Sequence, residues 1–353
     1  MSLAIVSAAY GGPTFTKDVA PIFYKNCVTC HRPGEMAPMS LLDYKSARPW
    51  AKAIQAAVLT HKMPPWFADP RYGHFSNDSR LSEQEIHTIE AWVAGGAMEG
   101  DSKDMPAQPT FAGGWRLGKP DLVFDIGKDF DVPADKDLHV DFTVPTNFTE
   151  GKWIRAAQIL PGNRTVVHHV HLAVIPNEGV AKARNSERQP KRSFFHVGER
   201  TGLLQINDDA PVVNDACAGD AGLNNLEGFD EGSFATMLPG KPPDVFDALG
   251  DGSMAKFIPA GAKLRFQIHY HGARTPEVDR TSVGLYVSSR PPDRPLKRVD
   301  LRNGFFLIPA GAANQEVKRC YTLEADKLLV AITPHAHYRG KDALYELLHV
   351  DGR

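Results

Sequence analysis

Half of the histidines in this chain stand in three short clusters, and this arrangement strongly limits the folds that the chain can adopt. Seven of the fourteen histidines fall within residues 168–171, 269–271 and 335–337. The first two clusters lie in runs of β-branched and aliphatic residues, which predict strands. Residues i and i+2 of a strand share a face, so His269 and His271 can present two imidazoles to one ion, as can the pair in the third cluster. The sequence therefore predicts a fold in which distant strands converge on metal.

The size and charge of the chain narrow its class. Its 353 residues are enough for two or three domains, each with a core of its own. A formal net charge of -2 gives no electrostatic reason to expect nucleic acid or an anionic membrane as a partner. No apolar stretch is long enough to predict a transmembrane segment. Residues 3–9 have the small side chains that precede the cleavage site of an export signal, but they fit a disordered end equally well.

The first chemistry along the chain is the stretch Cys27-Val28-Thr29-Cys30-His31. Two cysteines at this spacing can bond to the vinyl groups of haem, and the histidine that follows can bind the iron. A redox dithiol or half of a zinc site would need a thioredoxin-like context or a second cysteine pair. Cys217 and Cys320 are isolated in the sequence, so the motif predicts covalent haem attachment.

The residues around this motif predict helices. Phe15–Lys25 can form a helix that leads into the motif, and Ala47–Thr60 has apolar residues at helical spacing. Ser82 and Glu85 have the spacing of a capping box, which predicts a third helix that ends at Gly95.

A methionine is the expected sixth ligand of a haem iron at this site. Met63 lies in Lys62-Met63-Pro64-Pro65-Trp66, and two prolines make a loop stiff, so Met63 is the preferred candidate. The other candidates are Met36, Met39 and Met98, and methionine is more often core filler than ligand.

Residues 14–103 resemble class I cytochrome c domains, and the haem motif carries the resemblance. The resemblance implies an all-α domain with covalent haem c that transfers electrons. It also implies assembly on the extracytoplasmic side of a bacterial membrane, so we expect a periplasmic or secreted protein.

The second part of the chain has the pattern of β-structure. Residues 104–119 mix Pro and Gly with polar residues and lack periodicity, which predicts a linker. Short runs separated by Pro, Gly, Asn and Asp then predict antiparallel sandwiches or barrels. The runs are Leu122–Ile126, Leu138–Val144, Trp153–Ile159, Thr165–Ile175, Lys263–His269, Ser282–Ser288, Val299–Pro309, Glu316–Leu323, Leu328–Ile332 and Ala343–Val350. A Pro-rich stretch at 290–295 divides two β domains, 120–290 and 291–353, and we expect the last to be truncated because the chain stops just after a predicted strand.

Three histidine stretches in this part resemble, in order and kind, the copper type II ascorbate-dependent monooxygenases. They are His168-His169-Val170 after a β-branched run, Gln267-Ile268-His269-Tyr270 at the end of a later strand, and Pro334-His335-Ala336-His337 in a following domain. This family includes the peptidylglycine α-hydroxylating and dopamine β-monooxygenases. The resemblance runs from about residue 120 to the end and is weak outside the histidine clusters.

The resemblance implies two jelly-roll-like β-sandwich domains and two copper ions. His168, His169 and His269 would hold the copper that receives electrons. His335 and His337 would hold the second copper, at which O2 is used to hydroxylate a C–H bond of a small-molecule or peptide substrate. Ascorbate would be the reductant. Hydroxylation needs two electrons and each copper carries one, so we also expect the tethered haem domain to supplement or replace ascorbate.

Pleat geometry leaves the first ligand set open. His168 and His169 are adjacent, so they point to opposite faces of an ideal strand and reach one ion only if the strand is bulged or ends there. Simple alternation would instead pair His169 with His171. The second copper site is incomplete in this sequence, because the family completes it with a methionine and no methionine follows Met254.

Two other functions fit parts of the sequence. Three histidines around zinc with an open position would make a water-activating hydrolase, although zinc has no use for the electrons of a haem. A non-catalytic periplasmic electron carrier, or a redox or metal sensor, would need the second copper to be absent or closed off. Cys217 and Cys320 could pair in an oxidising compartment, but the sequence does not show that they meet.

Overall fold

The chain folds into two compact units in a computed structural model. The first unit comprises residues 1–187 and 229–296, and the second comprises 188–228 and 297–353. The structure describes residues 11–35, 37–111, 114–177, 195–197, 204–206, 215–217, 233–299, 301, 303, 306–323, 325–334 and 339–349. Within these ranges, none of the helices combines the length and hydrophobicity that a bilayer crossing requires.

The first unit begins with short helices. They are a π-helical turn at Phe15–Val19, α1 (Ala20–Asn26), α2 (Tyr44–Ala47), a 3-10 turn at Arg48–Trp50, α3 (Ala51–Leu59), α4 (Glu83–Ala94) and a 3-10 turn at Ser102–Asp104. The helices predicted at 15–25 and 47–60 are therefore present in pieces, because Pro21 and Pro49 each lack the backbone donor of a continuous helix. The capping box at Ser82 and Glu85 is present as predicted.

Aromatic side chains form the core of these helices. Phe15, Phe23, Ile89 and Trp92 have no exposed surface, and the Trp92 indole donates its hydrogen bond to the Met98 carbonyl at 2.9 Å. This core is separate from that of the strands.

Strands make up the rest of the first unit. They are β1 (Leu122–Asp125), β2 (Phe130–Val132), β3 (Asp137–Pro145), β4 (Lys152–Leu160), β5 (Val167–Ile175), β9 (Ser233–Met237), β10 (Asp244–Val245), β11 (Met254–Ile258), β12 (Lys263–His271), β13 (Glu277–Asp279), β14 (Ser282–Val287) and β15 (Arg294–Pro295), with β6 (Phe195–Val197), β7 (Leu204–Ile206) and β8 (Asp215–Ala216) in the second unit. The six runs predicted between 122 and 288 all form strands, with bounds that shift by one or two residues.

Two sheets enclose the β core. One has the strand order β1-β14-β4-β11-β15 with β10 paired to β4, and the other has the order β3-β12-β5-β9. Apolar residues of both sheets meet in one buried cluster, which includes Ile154, Val170, Leu172, Leu264, Phe266, Ile268 and Leu285. This arrangement fits the predicted antiparallel β-sandwich, and only the short β11–β15 pair is parallel within this unit's described strands.

The alternation of β12 determines which residues face away from the core. Leu264, Phe266, Ile268 and Tyr270 are fully buried, so His269 lies on the opposite face of the same strand. The outer face of the β3-β12-β5-β9 sheet is therefore where the histidines gather.

The helices are attached to the sandwich by an ion-pair network. Glu35 contacts the Arg32 guanidinium at 2.5 Å and the Arg164 guanidinium at 3.2 Å. Gly240, after β9, comes so close to Cys30 that an added Cβ would lie 3.0 Å from the Cys30 sulfur. The turn that carries the haem motif therefore packs directly against the β part.

The second unit has little regular structure among its described residues. β6 pairs with β7, and β8 pairs with β16 (Lys318–Arg319). Cys217 and Cys320 form a disulfide with their Cα atoms 4.9 Å apart.

The strands predicted in the second unit are largely wrong where the structure describes them. No strand occurs at 328–332 or 343–349, and Leu328, Leu329, Leu344 and Leu348 are more than 60% exposed. An apolar run becomes a strand only when a neighbouring strand takes its backbone hydrogen bonds, and the sequence pattern does not show that partner. The domain limits 14–103, 104–119, 120–290 and 291–353 stay predictions.

Candidate metal centre

Three predicted ligands meet at one end of the outer face. The Nδ1 atom of His168 lies 3.1 Å from the Nδ1 atom of His169 and 3.1 Å from that of His269. The third side of this triangle, from His269 to His169, measures 3.3 Å. In the described part of the chain, this is one of two groups of side chains that could hold a metal ion.

A β-bulge brings His168 into the triangle. β5 pairs with β12 through His169 and His269, but the next pair joins Tyr270 to Val167, so His168 has no partner in the ladder. The extra residue changes the alternation of the strand, and His168 and His169 can both reach the same point. The bulge that the sequence required for this ligand set is therefore present.

The triangle is better suited to a cation than to hydrogen bonds. A neutral imidazole nitrogen either carries a proton and donates or carries a lone pair and accepts. With three mutually close nitrogens and two such states, at least two must be alike, so at least one contact is repulsive. A positive ion between three lone pairs removes that conflict.

The spacing of the three nitrogens also fits a metal. With metal–nitrogen bonds of about 2.0 Å, separations of 3.1–3.3 Å correspond to angles of roughly 100–110° at the ion. Those are close to tetrahedral angles and leave a fourth position open. The three ring planes are inclined to one another by 61°, 84° and 67°, so their lone pairs can converge.

Two of the three imidazoles are held in the neutral form that binds metal. Burial, together with the neighbouring imidazoles, lowers the pKa of His169 to about 4. The same causes lower the pKa of His168. Both rings are therefore unprotonated near pH 7, as metal ligation requires.

Sequence reasoning missed two residues beside this triangle. Asp137 accepts a hydrogen bond from Nε2 of His269, and His139 stacks on His269 with ring centroids 4.1 Å apart. The cross-strand register places His139 directly opposite His269 on β3. The alternation Asp137-Leu138-His139 on a predicted strand was the available signal, but the register between β3 and β12 cannot be read from the sequence.

The remaining histidines of the clusters lie outside the triangle or outside the described residues. The ligand atoms that lie together belong to His168, His169 and His269, so the His169–His171 pairing expected from simple alternation is not the group that forms. The His271 side chain is 75% exposed and lies 3.9 Å from Asp137. His335 and His337, the predicted ligands of the second copper, lie outside the described residues, as does Met36.

The haem motif forms a turn directly after α1. The His31 backbone N–H donates to the Cys27 carbonyl at 3.0 Å, so the two cysteines and the histidine lie on one turn of chain. Burial raises the pKa of Cys27 to about 12 and also raises the pKa of Cys30. A reactive dithiol needs lowered thiol pKa values, so these two thiols lack the environment of a redox-active pair.

The predicted iron ligands lie in different surroundings. Burial lowers the pKa of His31, which favours the neutral imidazole that binds iron. The Met39 backbone lies beside that imidazole and opposes the decrease, so Met39 is a neighbour of His31. Met63 follows α3 with its side chain 45% exposed, and its role as sixth ligand stays a prediction. The buried Trp66 Nε1 has no hydrogen-bond partner in the described part of the chain.

Comparison of the chain with protein-family models, with curated proteins and with solved structures gave no match.

Proposed function

We propose that this chain is a copper-dependent monooxygenase that receives electrons through a covalently attached haem c. The observation that carries the proposal is the convergence of the Nδ1 atoms of His168, His169 and His269 in the same compact unit as the haem motif. Three imidazoles alone suit copper and zinc alike. The presence of a haem-attachment motif favours the metal that can use electrons.

The chain's own residues would divide the work between three sites. Cys27 and Cys30 would bond to haem c, with His31 and Met63 as iron ligands. His168, His169 and His269 would hold the copper that receives electrons. His335 and His337 would hold a second copper, next to the bound substrate.

Copper would supply one-electron redox chemistry and activation of O2, and haem would supply electrons one at a time. Hydroxylation of a C–H bond with O2 consumes two external electrons. A tethered donor that can be reduced repeatedly delivers them without waiting for a reductant molecule to diffuse to the copper each time. Ascorbate or another small reductant could still reduce the haem or the copper. The substrate class expected from the family resemblance is a small molecule or a peptide.

Assembly outside the cytoplasm is part of the proposal. Haem attachment to such a motif takes place there in bacteria, and the Cys217–Cys320 disulfide is consistent with an oxidising compartment.

The first test is the metal and haem content of the purified protein. We expect one haem per chain and a copper ion at the three-histidine site that is lost in H168A, H169A and H269A. H271A is the matched control, since His271 lies on the same strand as His269 but outside the triangle. A wild-type protein that binds zinc but no copper would contradict the proposal.

The second test concerns the electrons. We expect the reduced haem to be reoxidised by O2 faster in the copper-loaded protein than in the copper-free protein, as measured from its visible absorption bands in a stopped-flow instrument. H269A should abolish this acceleration without changing the haem content. Equal rates with and without copper would show that the haem does not supply electrons to the metal centre.

A zinc hydrolase is the second candidate, and one observation favours it. The nearly tetrahedral triangle with an open fourth position is the ligand geometry of catalytic zinc sites. This function predicts zinc-dependent hydrolysis of an activated ester, at a rate that does not change when the haem is reduced.

A further inference from the structure

Asp137 contacts His269 on the side of the ring that points away from the triangle. His269 presents Nδ1 to His168 and His169, and its Nε2 donates to the Asp137 carboxylate. Each ring nitrogen therefore has a separate role. A neutral imidazole carries one proton, and a proton on Nε2 leaves the lone pair on Nδ1.

A second metal ion between Asp137, His139 and His269 is the alternative, because their ligand atoms lie within 4.8 Å of one another. The orientation of the rings argues against it. His139 and His269 are nearly parallel, with an angle of 8° between their planes and 4.1 Å between their centroids. An imidazole lone pair lies in the plane of its ring, so one ion cannot lie in two parallel planes that are stacked on each other.

Stacking gives His139 a different role. The ring covers one face of His269 and opposes rotation of that imidazole about its side-chain bonds. The hydrogen bond to Asp137 fixes the orientation of the His269 imidazole within its own plane. Together the two contacts determine where Nδ1 of His269 points.

We propose that Asp137 is a positioning residue of the metal centre, which holds His269 in the tautomer and orientation that direct Nδ1 to the metal, while His139 supports the ring by stacking. The inference rests on the proposed function, since it assigns a role toward the metal held by His168, His169 and His269. Carboxylates that hold ligand histidines in this way increase the basicity of the ligand nitrogen, and their removal commonly weakens metal binding about 10- to 100-fold. We expect a loss in the same range here.

Asp137 can be changed with little risk to the fold. Its side chain is 63% exposed and lies at the first residue of β3, where it contributes nothing to the buried core. Asp141 is a matched control, because it lies on the same face of β3 four residues further along and opposes Gln267, whereas Asp137 opposes His271.

The test compares D137A, D137N, D137E and D141N with the wild type. Copper(II) affinity is measured by competition with a chelator, and melting of the metal-free protein checks folding. We expect D137A to bind copper about 10- to 100-fold more weakly, D137N to fall between D137A and the wild type, D137E to recover part of the loss, and D141N to behave as wild type. An unchanged affinity of D137A would overturn the inference.

Two spectroscopic measurements give readouts that a merely structural role would not change. In the metal-free protein, nitrogen NMR reports the tautomer of His269, and we expect the Nε2–H form in the wild type and D141N but a mixture in D137A. In the copper-loaded protein, pulsed EPR reports the hydrogen bonding of the ring nitrogens remote from the metal, and one imidazole signal should change in D137A and D137N but not in D141N. An unchanged tautomer in D137A would overturn the inference.

The role of His139 is tested separately by H139F. A phenyl ring can stack on His269 but cannot bind a metal, so we expect H139F to keep copper binding within a few-fold of the wild type. Loss of copper in H139F with normal folding would make His139 a ligand and overturn the stacking role. Failure of the wild type to bind copper would instead overturn the proposed function, and the NMR tautomer would still decide whether Asp137 orients His269.

Discussion

At the scale of single residues, the carboxylate of Asp279 supports the centre from inside the fold. The residue is 1% exposed, and its two oxygens accept hydrogen bonds from four donors. These are the Asn163 N–H, the Tyr270 hydroxyl, and the N–H and hydroxyl of Thr281, at 2.8–3.1 Å. Tyr270 directly follows His269, and Asn163 begins the turn that leads into His168, so one buried carboxylate ties together the two strands that carry the ligands.

Replacement of Asp279 by alanine should strongly destabilise the protein. Four donors would lose a charged partner, and a loss of roughly 2–4 kcal/mol in the free energy of unfolding is expected from the cost of unsatisfied buried groups. Chemical denaturation measures the change. D131A is the control, because Asp131 lies on β2, which pairs with β13, and faces solvent. Equal stability of both variants would contradict the role of Asp279.

At this scale, the sequence predicted which three histidines meet but not the residues that contact them. His168, His169 and His269 could be chosen because they stand in clusters within strand-like runs. Asp137 lies 132 residues from His269, and the pairing that brings them together depends on the register of two distant strands. A single-residue slip of that register would turn His139 away from the site, and the sequence pattern does not determine the register.

At the scale of elements, the bulge in β5 is the feature that makes the ligand set possible. The sequence showed that His168 and His169 need a bulge or a strand end, but not which of the two occurs. The bulge forms where β5 begins. On its N-terminal side, the Val166 carbonyl accepts a hydrogen bond from the His271 N–H at 2.8 Å. The alternation of apolar residues along the strand does not reveal this local hydrogen-bond pattern.

The capping box of α4 gives a prediction for the helical part. The Ser82 hydroxyl accepts a hydrogen bond from the Glu85 N–H, and the Glu85 carboxylate accepts one from the Ser82 N–H. We expect S82A to lower the free energy of unfolding by about 1 kcal/mol. T88A is the control, since Thr88 lies on the exposed surface of the same helix and alanine is a better helix former. Thermal melts followed by circular dichroism compare the two variants, and a larger loss in T88A would refute the assignment.

Glu85 makes the same helix sensitive to acid. Partial burial opposes the shift, but hydrogen bonds from Ser82, Lys25 and Asn26 lower the pKa of Glu85 below its usual value. A carboxyl group with a lowered pKa in the folded state stabilises the protein above the unfolded-state value of about 4.3, and that contribution is lost as the pH falls through the folded-state pKa. We expect the melting temperature to fall less between pH 7 and pH 3 in E85Q than in the wild type, as measured by thermal melts at the two pH values.

At the scale of the whole first unit, residues next to the haem motif and next to the candidate metal centre meet at one cavity. Thr29, next to Cys30, and Val167, next to His168, line the same cavity between the helices and the sheets. The Glu35–Arg164 ion pair holds this arrangement, and both side chains are less than a third exposed. The sequence predicted two parts connected by a linker. It could not predict that they pack together, because the contacts join side chains that are 129 residues apart.

We expect the ion pair at this junction to affect electron delivery. R164Q should slow the reoxidation of the reduced haem in the copper-loaded protein, because Glu35 would lose one of its two partners and the two parts would separate more easily. Haem and copper contents should not change. R280Q is the control, since Arg280 pairs with Asp125 and Asp129 within the β part. Identical rates in R164Q and the wild type would show that the junction does not limit the transfer.

The order of strands in the sheet has a consequence for how the chain could be divided. β5 and β12 are neighbours in the sheet, yet His168 and His269 are 101 residues apart in the chain. β5 also pairs with β9, so a break anywhere between β5 and β9 leaves complementary edges on both fragments. Two separately made polypeptides, one ending after β5 and the other beginning before β9, would therefore hold between them all three imidazoles. If the three imidazoles bind a metal ion, that ion would join the two fragments of a split protein, and its binding would report their reassembly.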